Sequence, residues 1–153
     1  MTGEQMWRAF TAARGLPENT PYEAWAFGGD PDRLAKLTLE GVKTATSSAY
    51  PLYALEKEPL PEPGEYSVIL NSRDEAVCVI LTEAVEVVPY REVEADHARR
   101  EGEGDLSLSY WRAVHERFFQ TEMAAASLVF DEDMPVVCER FRRVWPEKGE
   151  CHA

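Results

Sequence analysis

The middle of the sequence contains two β-prone runs joined by a short polar turn. The runs cover residues 66–70 and 76–88, both enriched in β-branched side chains, and the turn is Asn71-Ser72-Arg73-Asp74. Runs of this kind on either side of a tight turn predict a β-hairpin. Residues 134–145 form a further β-prone run that contains several basic side chains. The sequence therefore predicts a sheet, and the helices have to be placed around it.

Helical patterns lie on both sides of the predicted hairpin. Residues 5–13 have apolar side chains at helical spacing, and Asp30-Pro31 predicts the start of a helix that ends at Gly41. The strongest helical pattern covers residues 108–125. Because most of the side chains along one face of this helix are apolar, we predict that the face is part of the core. The residues that mark the face are Trp111, Val114, Phe118 and Glu122.

Length and composition favour a single α+β domain. The chain has 153 residues, of which 44% are hydrophobic, and it contains no repeats or low-complexity tracts. This is enough for one sizeable core. We predict an N-terminal helix and lead-in over residues 1–20, the main domain over residues 21–146, and a polar tail over residues 147–153.

Charge and cysteine content exclude several classes of function. A net charge of −12 repels phosphate backbones, so we do not expect binding to long duplex nucleic acid. No apolar run approaches the roughly 18 residues of a membrane span, so no membrane association is predicted. The three cysteines are scattered and form no C-x-x-C pair, and the N-terminus is polar. These features predict a reducing, cytoplasmic location.

The stretch LEGVKTATSS, residues 39–48, places a lysine between a predicted helix end and a run of small hydroxyl residues. Lysines are favoured near the C-terminus of a helix by the helix dipole, and this structural interpretation is the commoner one for Lys43. The functional interpretation is that Lys43 and hydroxyls such as Thr46 converge in a pocket, where the amine activates a hydroxyl. The spacing does not separate the two interpretations.

Three other patterns suggest sites less strongly. His97 and Glu101 share a helical face, but two ligands are too few for a catalytic zinc site, so a solvated face is favoured. His115 lies on a different predicted helix, and its spacing does not make it a third ligand. The acidic loop of residues 101–105 lacks the ligand periodicity of a calcium loop. Several aromatic side chains are suited to stacking on a base, although such residues are more often core. They are Trp25, Phe27, Tyr50 and Tyr53.

Four segments together resemble the ASCH domain family, and in particular its YhfF-like branch. The resemblance extends from about Trp25 to Val144, and its most specific parts are a G-x-K-x-x-T motif and the segment A-x-x-E-G-E-G-D-x-S-x-x-Y-W. The four segments are GVKTATSS, PGEYSVIL, HARREGEGDLSLSYWRAVHERFF and FDEDMPVVCERFRRV.

This resemblance implies a PUA-like fold, a small closed β-barrel flanked by helices, similar to domains that bind RNA or modified nucleosides. Small amidohydrolases of the wider family remove the acetyl group from cytidine acetylated on its exocyclic amine, with a lysine, a threonine and a glutamate. Those residues fall on Lys43, Thr46 and Glu101 of this chain. The implied roles are a base for Lys43, a nucleophile or water-positioning group for Thr46, and a proton donor for Glu101.

The resemblance leaves several functions open. Ser48 stands where the motif has an arginine, so the substrate differs or is bound differently. We expect a nucleoside or short single-stranded RNA as ligand, with hydrolysis of an acyl-amide and no cofactor. The alternatives are a non-catalytic RNA-binding module and a ribonuclease that requires a divalent metal ion. The residues expected to bind the ligand are Trp25, Phe27, Ser48, Tyr50 and Glu139.

Overall fold

A five-stranded sheet curls into a half-barrel at the centre of the protein, in a computed structural model that describes residues 1–147. The part of the predicted polar tail after Glu147 lies outside the described residues. In chain order the strands are β1 Glu23–Ala26, β2 Ala45–Ala49, β3 Tyr66–Leu70, β4 Ala76–Pro89 and β5 Pro135–Trp145.

Five α-helices cover this sheet, and side-chain caps fix the starts of three of them. Thr2 and Gln5 form a capping box, the Asp30 side chain accepts from the backbone N–H of Arg33, and that of Ser107 accepts from Tyr110. The helices are α1 Gly3–Arg14, α2 Pro31–Leu39, α3 Tyr50–Leu55, α4 Ala95–Glu101 and α5 Leu108–Ala125, with a 3₁₀ turn over Tyr90–Glu92.

The predicted hairpin is present, and its second strand extends through most of the sheet. Strand β4 pairs antiparallel with β3 through its first half and with β5 along most of its length. The register shifts between Val79 and Ile80 and between Thr82 and Ala84. Such irregularities increase the local twist of a strand. A long, twisted β4 is therefore what curls the sheet.

The barrel is less closed than the resemblance implies. The strand order is β1-β3-β4-β5-β2, so β1 and β2 are the two edges. Among the described strands, β1 pairs only with β3 and β2 only with β5. Side chains of directly paired residues lie on the same face of a sheet. Thr46 of β2 and Glu139 of β5 are such a pair, and both lie on the concave face.

The core is divided among three clusters. Helix α1 packs Met6, Trp7 and Phe10 against the convex side of the sheet, and α2 covers one end of the half-barrel with Leu34 and Ala35. Helices α4 and α5 pack against β2 and β5. Helix α1, predicted as a lead-in, thus shares its core with the sheet. None of the helices within residues 1–147 has the length and apolar character needed to cross a membrane.

The buried face of α5 differs from the predicted one. The prediction is correct for Trp111, which is buried, but Val114 is 36% exposed and Phe118 and Glu122 are only half-buried. An i, i+4 row that starts at Trp111 faces the core instead, and it includes the polar residue His115. The sequence pattern favours the other row because its first three members are apolar, whereas the buried row contains a histidine. The buried row is Trp111, His115, Phe119 and Met123.

The identity of the buried face of α5 leads to a stability prediction. Phe119 is 0% exposed, so Phe119→Ala should lower the free energy of unfolding by about 3–5 kcal/mol, measured by urea denaturation. Val114→Ala on the same helix serves as the matched control, and we expect a loss below about 1 kcal/mol. An equal decrease in the free energy of unfolding for the two variants would contradict the observed orientation of α5.

Candidate functional site

Lys43 lies in the short connection between α2 and β2, and the backbone of that connection is held at both ends. The N–H groups of Val42 and Lys43 donate to the carbonyl of Leu37, and the N–H of Thr44 donates to the carbonyl of Arg100 at 2.7 Å. The Lys43 side chain is only 1% exposed. The end of α2 and the end of α4 therefore fix the direction of a fully buried lysine.

The ammonium group of Lys43 contacts two carboxylates. Its Nζ lies 3.3 Å from Oε1 of Glu101 and 3.5 Å from Oε2 of Glu103. It also lies 5.1 Å from the centre of the Phe27 ring, within the range of a cation–π contact. A buried charge is costly unless it is paired, and Lys43 has its pairing supplied by two residues at the end of α4.

Glu101 is the centre of a larger polar cluster. Its Oε2 accepts from the Ser47 hydroxyl at 2.5 Å and from the Trp111 indole N–H at 2.5 Å, and it lies 3.0 Å from Nε2 of His97. The same His97 nitrogen is 2.7 Å from the Ser47 hydroxyl. We call Lys43, Ser47, His97, Glu101, Glu103, Trp111 and His115 the buried polar cluster.

The charges of this cluster keep Glu101 ionised. Burial alone would raise the pKa of Glu101, but attraction to Lys43 and His115, with hydrogen bonds from both histidines, holds that pKa well below its usual value. An ionised carboxylate accepts hydrogen bonds and cannot donate a proton. The implied role of Glu101 as proton donor therefore does not fit the resting state of the site.

His115 supplies a second positive charge. Its Nδ1 lies 2.9 Å from the carbonyl of Trp111, which can only accept, so this nitrogen carries a hydrogen. Its Nε2 lies 3.5 Å from Oε1 of Glu101. Burial lowers the pKa of His115, but the Glu101 charge outweighs it, and the net direction is upward. His115 and Lys43 thus both stabilise the Glu101 carboxylate at the same oxygen, Oε1.

A glycine brings α4 close to this connection. Gly102 ends α4 with φ +74°, a left-handed conformation that favours glycine. A Cβ at this position would lie 2.7 Å from the carbonyl oxygen of Val42. The close approach of Gly102 to Val42 is what permits Glu101 and Glu103 to reach Lys43.

Two adjoining cavities open beside the cluster. The first has a volume of 470 Å³ and lies on the concave face between the edge strands β1 and β2, and we call it the edge cavity. The second has a volume of 320 Å³ and is lined by Lys43, Glu101 and Glu103, and we call it the lysine cavity. Both volumes are in the range of small-molecule pockets. Thr46 lies in the wall that the two cavities share.

Most of the residues predicted to bind a ligand line the edge cavity. Phe27 is buried between the two cavities, Trp25 is half-buried, and the Ser48 hydroxyl lies 2.7 Å from that of Tyr53. Glu139 lies on the floor of the cavity. Tyr50 is different, because it is 40% exposed at the start of α3 and does not line the cavity.

The sequence patterns predict only part of the buried polar cluster. They favour a solvated face for His97, but His97 is nearly buried against Ser47 and Glu101. The spacing of His115 does not indicate a contact with Glu101, yet its Nε2 lies 3.5 Å from Oε1 of that residue. The one available signal was the i, i+4 spacing of Trp111 and His115, which puts both on the face of α5 toward Glu101. Their rings stack with centroids 4.3 Å apart.

The cluster also has the composition of a metal site. Ligand atoms of Glu101, Glu103 and His115 lie within 4.8 Å of one another. However, Lys43 already contacts both carboxylates, and His115 carries a raised pKa that opposes metal binding through its nitrogen. A metal ion would have to displace the lysine, so the residues present do not fit a resident divalent metal.

The fold and the site together define a PUA-like domain. Two crystal structures are similar over nearly the whole chain. An ASCH domain from Lactobacillus crispatus is 30% identical with a TM-score of 0.85, covering 92% of this chain and 93% of its own. An Enterococcus faecalis protein is 33% identical with a TM-score of 0.84, covering 99% of this chain and 96% of its own.

The family assignment follows from the sequence match as well. The ASCH domain family matches residues 23–145, so this chain belongs to the ASCH domain family, whose PUA-like fold is associated with RNA binding. A hypothetical protein that is 12% identical shares the fold with a TM-score of 0.51 over 80% of this chain and 98% of its own. No curated protein matches the sequence.

The buried ion pair generates a prediction about Lys43. Lys43→Ala leaves Glu101 and Glu103 without their cation, so it should lower the free energy of unfolding by about 3–5 kcal/mol, measured by urea denaturation. Lys36→Ala, at an exposed position of α2, is the matched control and should change it by less than about 0.5 kcal/mol. The double variant Lys43→Met with Glu101→Gln should recover part of the loss. A stable Lys43→Ala variant would show that the pair is not structural.

The raised pKa of His115 generates a pH prediction. Its charged form is stabilised in the folded state, so this contribution is fully present below the ordinary value of 6.5 and is lost as pH rises through the raised value. The difference in unfolding free energy between the wild type and His115→Gln should therefore be largest below pH 6.5 and shrink over the range that extends upward from pH 6.5. A difference that is constant over this range would mean that His115 is neutral in the folded protein.

Proposed function

We propose that this ASCH domain binds a nucleoside-sized aromatic ligand in the edge cavity and hydrolyses an acyl-amide on it. The observation that carries the proposal is the position of Thr46, in the wall between the aromatic edge cavity and the cavity that contains Lys43. A base held between Trp25 and Phe118 would place a substituent near the Thr46 hydroxyl.

The aromatic walls support binding of a flat ring. Trp25, Phe27, Tyr53 and Phe118 all line the edge cavity, and Trp25 and Phe27 meet edge to face with centroids 4.9 Å apart. Stacking on such side chains is a general means of holding a nucleobase. The half-barrel supplies this surface because its edge strands do not close on each other.

The buried polar cluster suits hydrolysis with roles that differ from those implied by the family. Thr46 attacks the carbonyl carbon, or positions a water that does so, and the charge on Lys43 stabilises the negative carbonyl oxygen. In the first step Lys43 gives a proton to the leaving amine as the C–N bond breaks and takes the proton released by the Thr46 hydroxyl, which leaves the acyl group on Thr46 as an ester. A water molecule then attacks this ester, Lys43 passes a proton of the water to the Thr46 oxygen, and the carboxylic acid leaves. Where Thr46 only positions a water, that water attacks the amide directly and its proton reaches the amine through Lys43. Glu101 and Glu103 hold Lys43 in place throughout, so the charge of the cluster is the same at the end as at the start.

The proposal predicts a selective effect at Thr46. Thr46→Val keeps the shape of the side chain but removes the hydroxyl, so turnover of cytidine acetylated on its exocyclic amine should fall by at least about 100-fold, while Thr46→Ser retains it. Turnover is read as free cytidine by chromatography, and binding by calorimetry should change little. Thr121→Val, at an exposed position of α5, is the matched control.

Two outcomes would overturn parts of the proposal. Equal turnover by wild type and Thr46→Val would remove Thr46 from the chemistry. Binding without turnover in the wild type would make the domain a non-catalytic binding module. Incubation of a short single-stranded RNA with and without a chelator tests the ribonuclease alternative, because only metal-dependent cleavage stops when the ion is removed.

A further inference from the structure

The edge cavity combines aromatic walls with a concentration of carboxyl groups. Four aromatic side chains line it, together with Glu23, Glu58, Glu65, Glu122 and Glu139. None of its lining residues within positions 1–147 is a lysine or an arginine. Cavities with walls of one charge sign focus that potential, so this cavity is strongly negative.

Glu139 is the carboxyl group best placed to contact a ligand. It is 8% exposed, and its Oε2 accepts from the Thr82 hydroxyl at 2.7 Å. Within the described part of the chain, Oε1 has no hydrogen-bond donor. Burial raises the pKa of Glu139, and the nearby charges of Glu65 and Glu23 raise it further. A buried carboxyl group among other carboxylates lacks a positive partner.

The walls of the edge cavity favour a cation as ligand. A cation would meet the Glu139 oxygen that has no donor and would reduce the repulsion among the carboxylates. The same cation, if it were a flat ring, would stack on Trp25 or Phe118 and gain a cation–π contribution. A phosphate would meet only acidic groups on these walls.

We infer that the edge cavity binds a nucleoside whose base carries a positive charge, and which carries no phosphate, more tightly than a neutral nucleoside. This inference rests on the proposed function, because it names the charge class of the nucleoside that the cavity takes. Lys43 does not offset the selection at the base, since it lines the lysine cavity and not the edge cavity. Arg33 lines only the lysine cavity, so it offers no partner to a phosphate inside the edge cavity.

Matched ligand pairs test the charge preference directly by calorimetry. The pairs are 7-methylguanosine with guanosine, 1-methyladenosine with adenosine, and 1-methylnicotinamide with nicotinamide, in which the first member is cationic. We expect each cation to bind at least about tenfold more tightly than its neutral partner, as one favourable ion contact would give. We expect 7-methylguanosine 5′-monophosphate to bind at least about tenfold more weakly than the nucleoside.

Two variants and one control test whether the preference for a cationic base comes from the carboxyl groups of the edge cavity. Glu139→Gln keeps the size of the side chain but removes its charge, so the preference for the cation should fall by severalfold. Glu122→Gln, at a half-buried position of the same cavity, should reduce it to a smaller extent, and it serves as the second variant if Glu139→Gln does not fold. Glu18→Gln, exposed and outside the cavity, removes the same charge and should leave the preference unchanged.

The outcomes separate this inference from the proposed function. Nucleosides that bind equally well with and without the positive charge, or more tightly as the monophosphate, would overturn the inference and leave the proposed nucleoside site standing. Preference for 1-methylnicotinamide with no binding of any nucleoside would support a cation site but overturn the nucleoside part of both proposals. A preference that Glu139→Gln and Glu122→Gln both leave intact would overturn the assignment to this cavity.

Discussion

The ion pair between Lys43 and Glu101 joins parts of the fold that the sheet alone does not hold together. Lys43 precedes an edge strand, and Glu101 ends a helix 58 residues later. Removing two charges from water costs several kcal/mol per ion, so the pair is stable only because further donors satisfy the carboxylate. Ser47, His97 and Trp111 are those donors. Strand β2 and helices α4 and α5 are therefore fixed relative to one another by a single carboxylate.

This arrangement explains how an incompletely closed barrel keeps a defined cavity. An edge strand has free backbone groups and is usually the most variable part of a sheet. Here β2 is held on one side by β5 and on the other by the polar cluster, and the backbone of Thr44 bonds to Arg100 of α4. The wall that contains Thr46 is thus attached on both sides although the barrel is open. An open barrel with an attached wall is suited to admitting a small ligand.

Local sequence patterns are enough to predict the main helices and strands and to indicate the family. They are not enough to predict the whole site. Capping at Asp30-Pro31 and the polar turn at residues 71–74 act over a few residues, and the structure has both features as predicted. The motif placed Lys43, Thr46 and Glu101 in one region, and the structure brings them together around the two cavities. The roles of His97 and His115 depend on which face of α4 meets which face of α5, and that is decided by packing rather than by spacing. The concentration of carboxyl groups in the edge cavity depends on the curl of the sheet, which no local pattern specifies.

The contact between Gly102 and Val42 means that the spacing of the charged residues is controlled by a residue that has no side chain. A methyl group at position 102 would collide with backbone, which cannot rotate away as a side chain can. Any larger residue would therefore separate α4 from the Lys43 connection and stretch the ion pair. In this chain, glycine at position 102 is thus a condition for the buried pair, although it belongs to neither charged residue. A chain with glycine there can hold its lysine and glutamate in contact, and a chain without it has to place them farther apart or bridge them in another way.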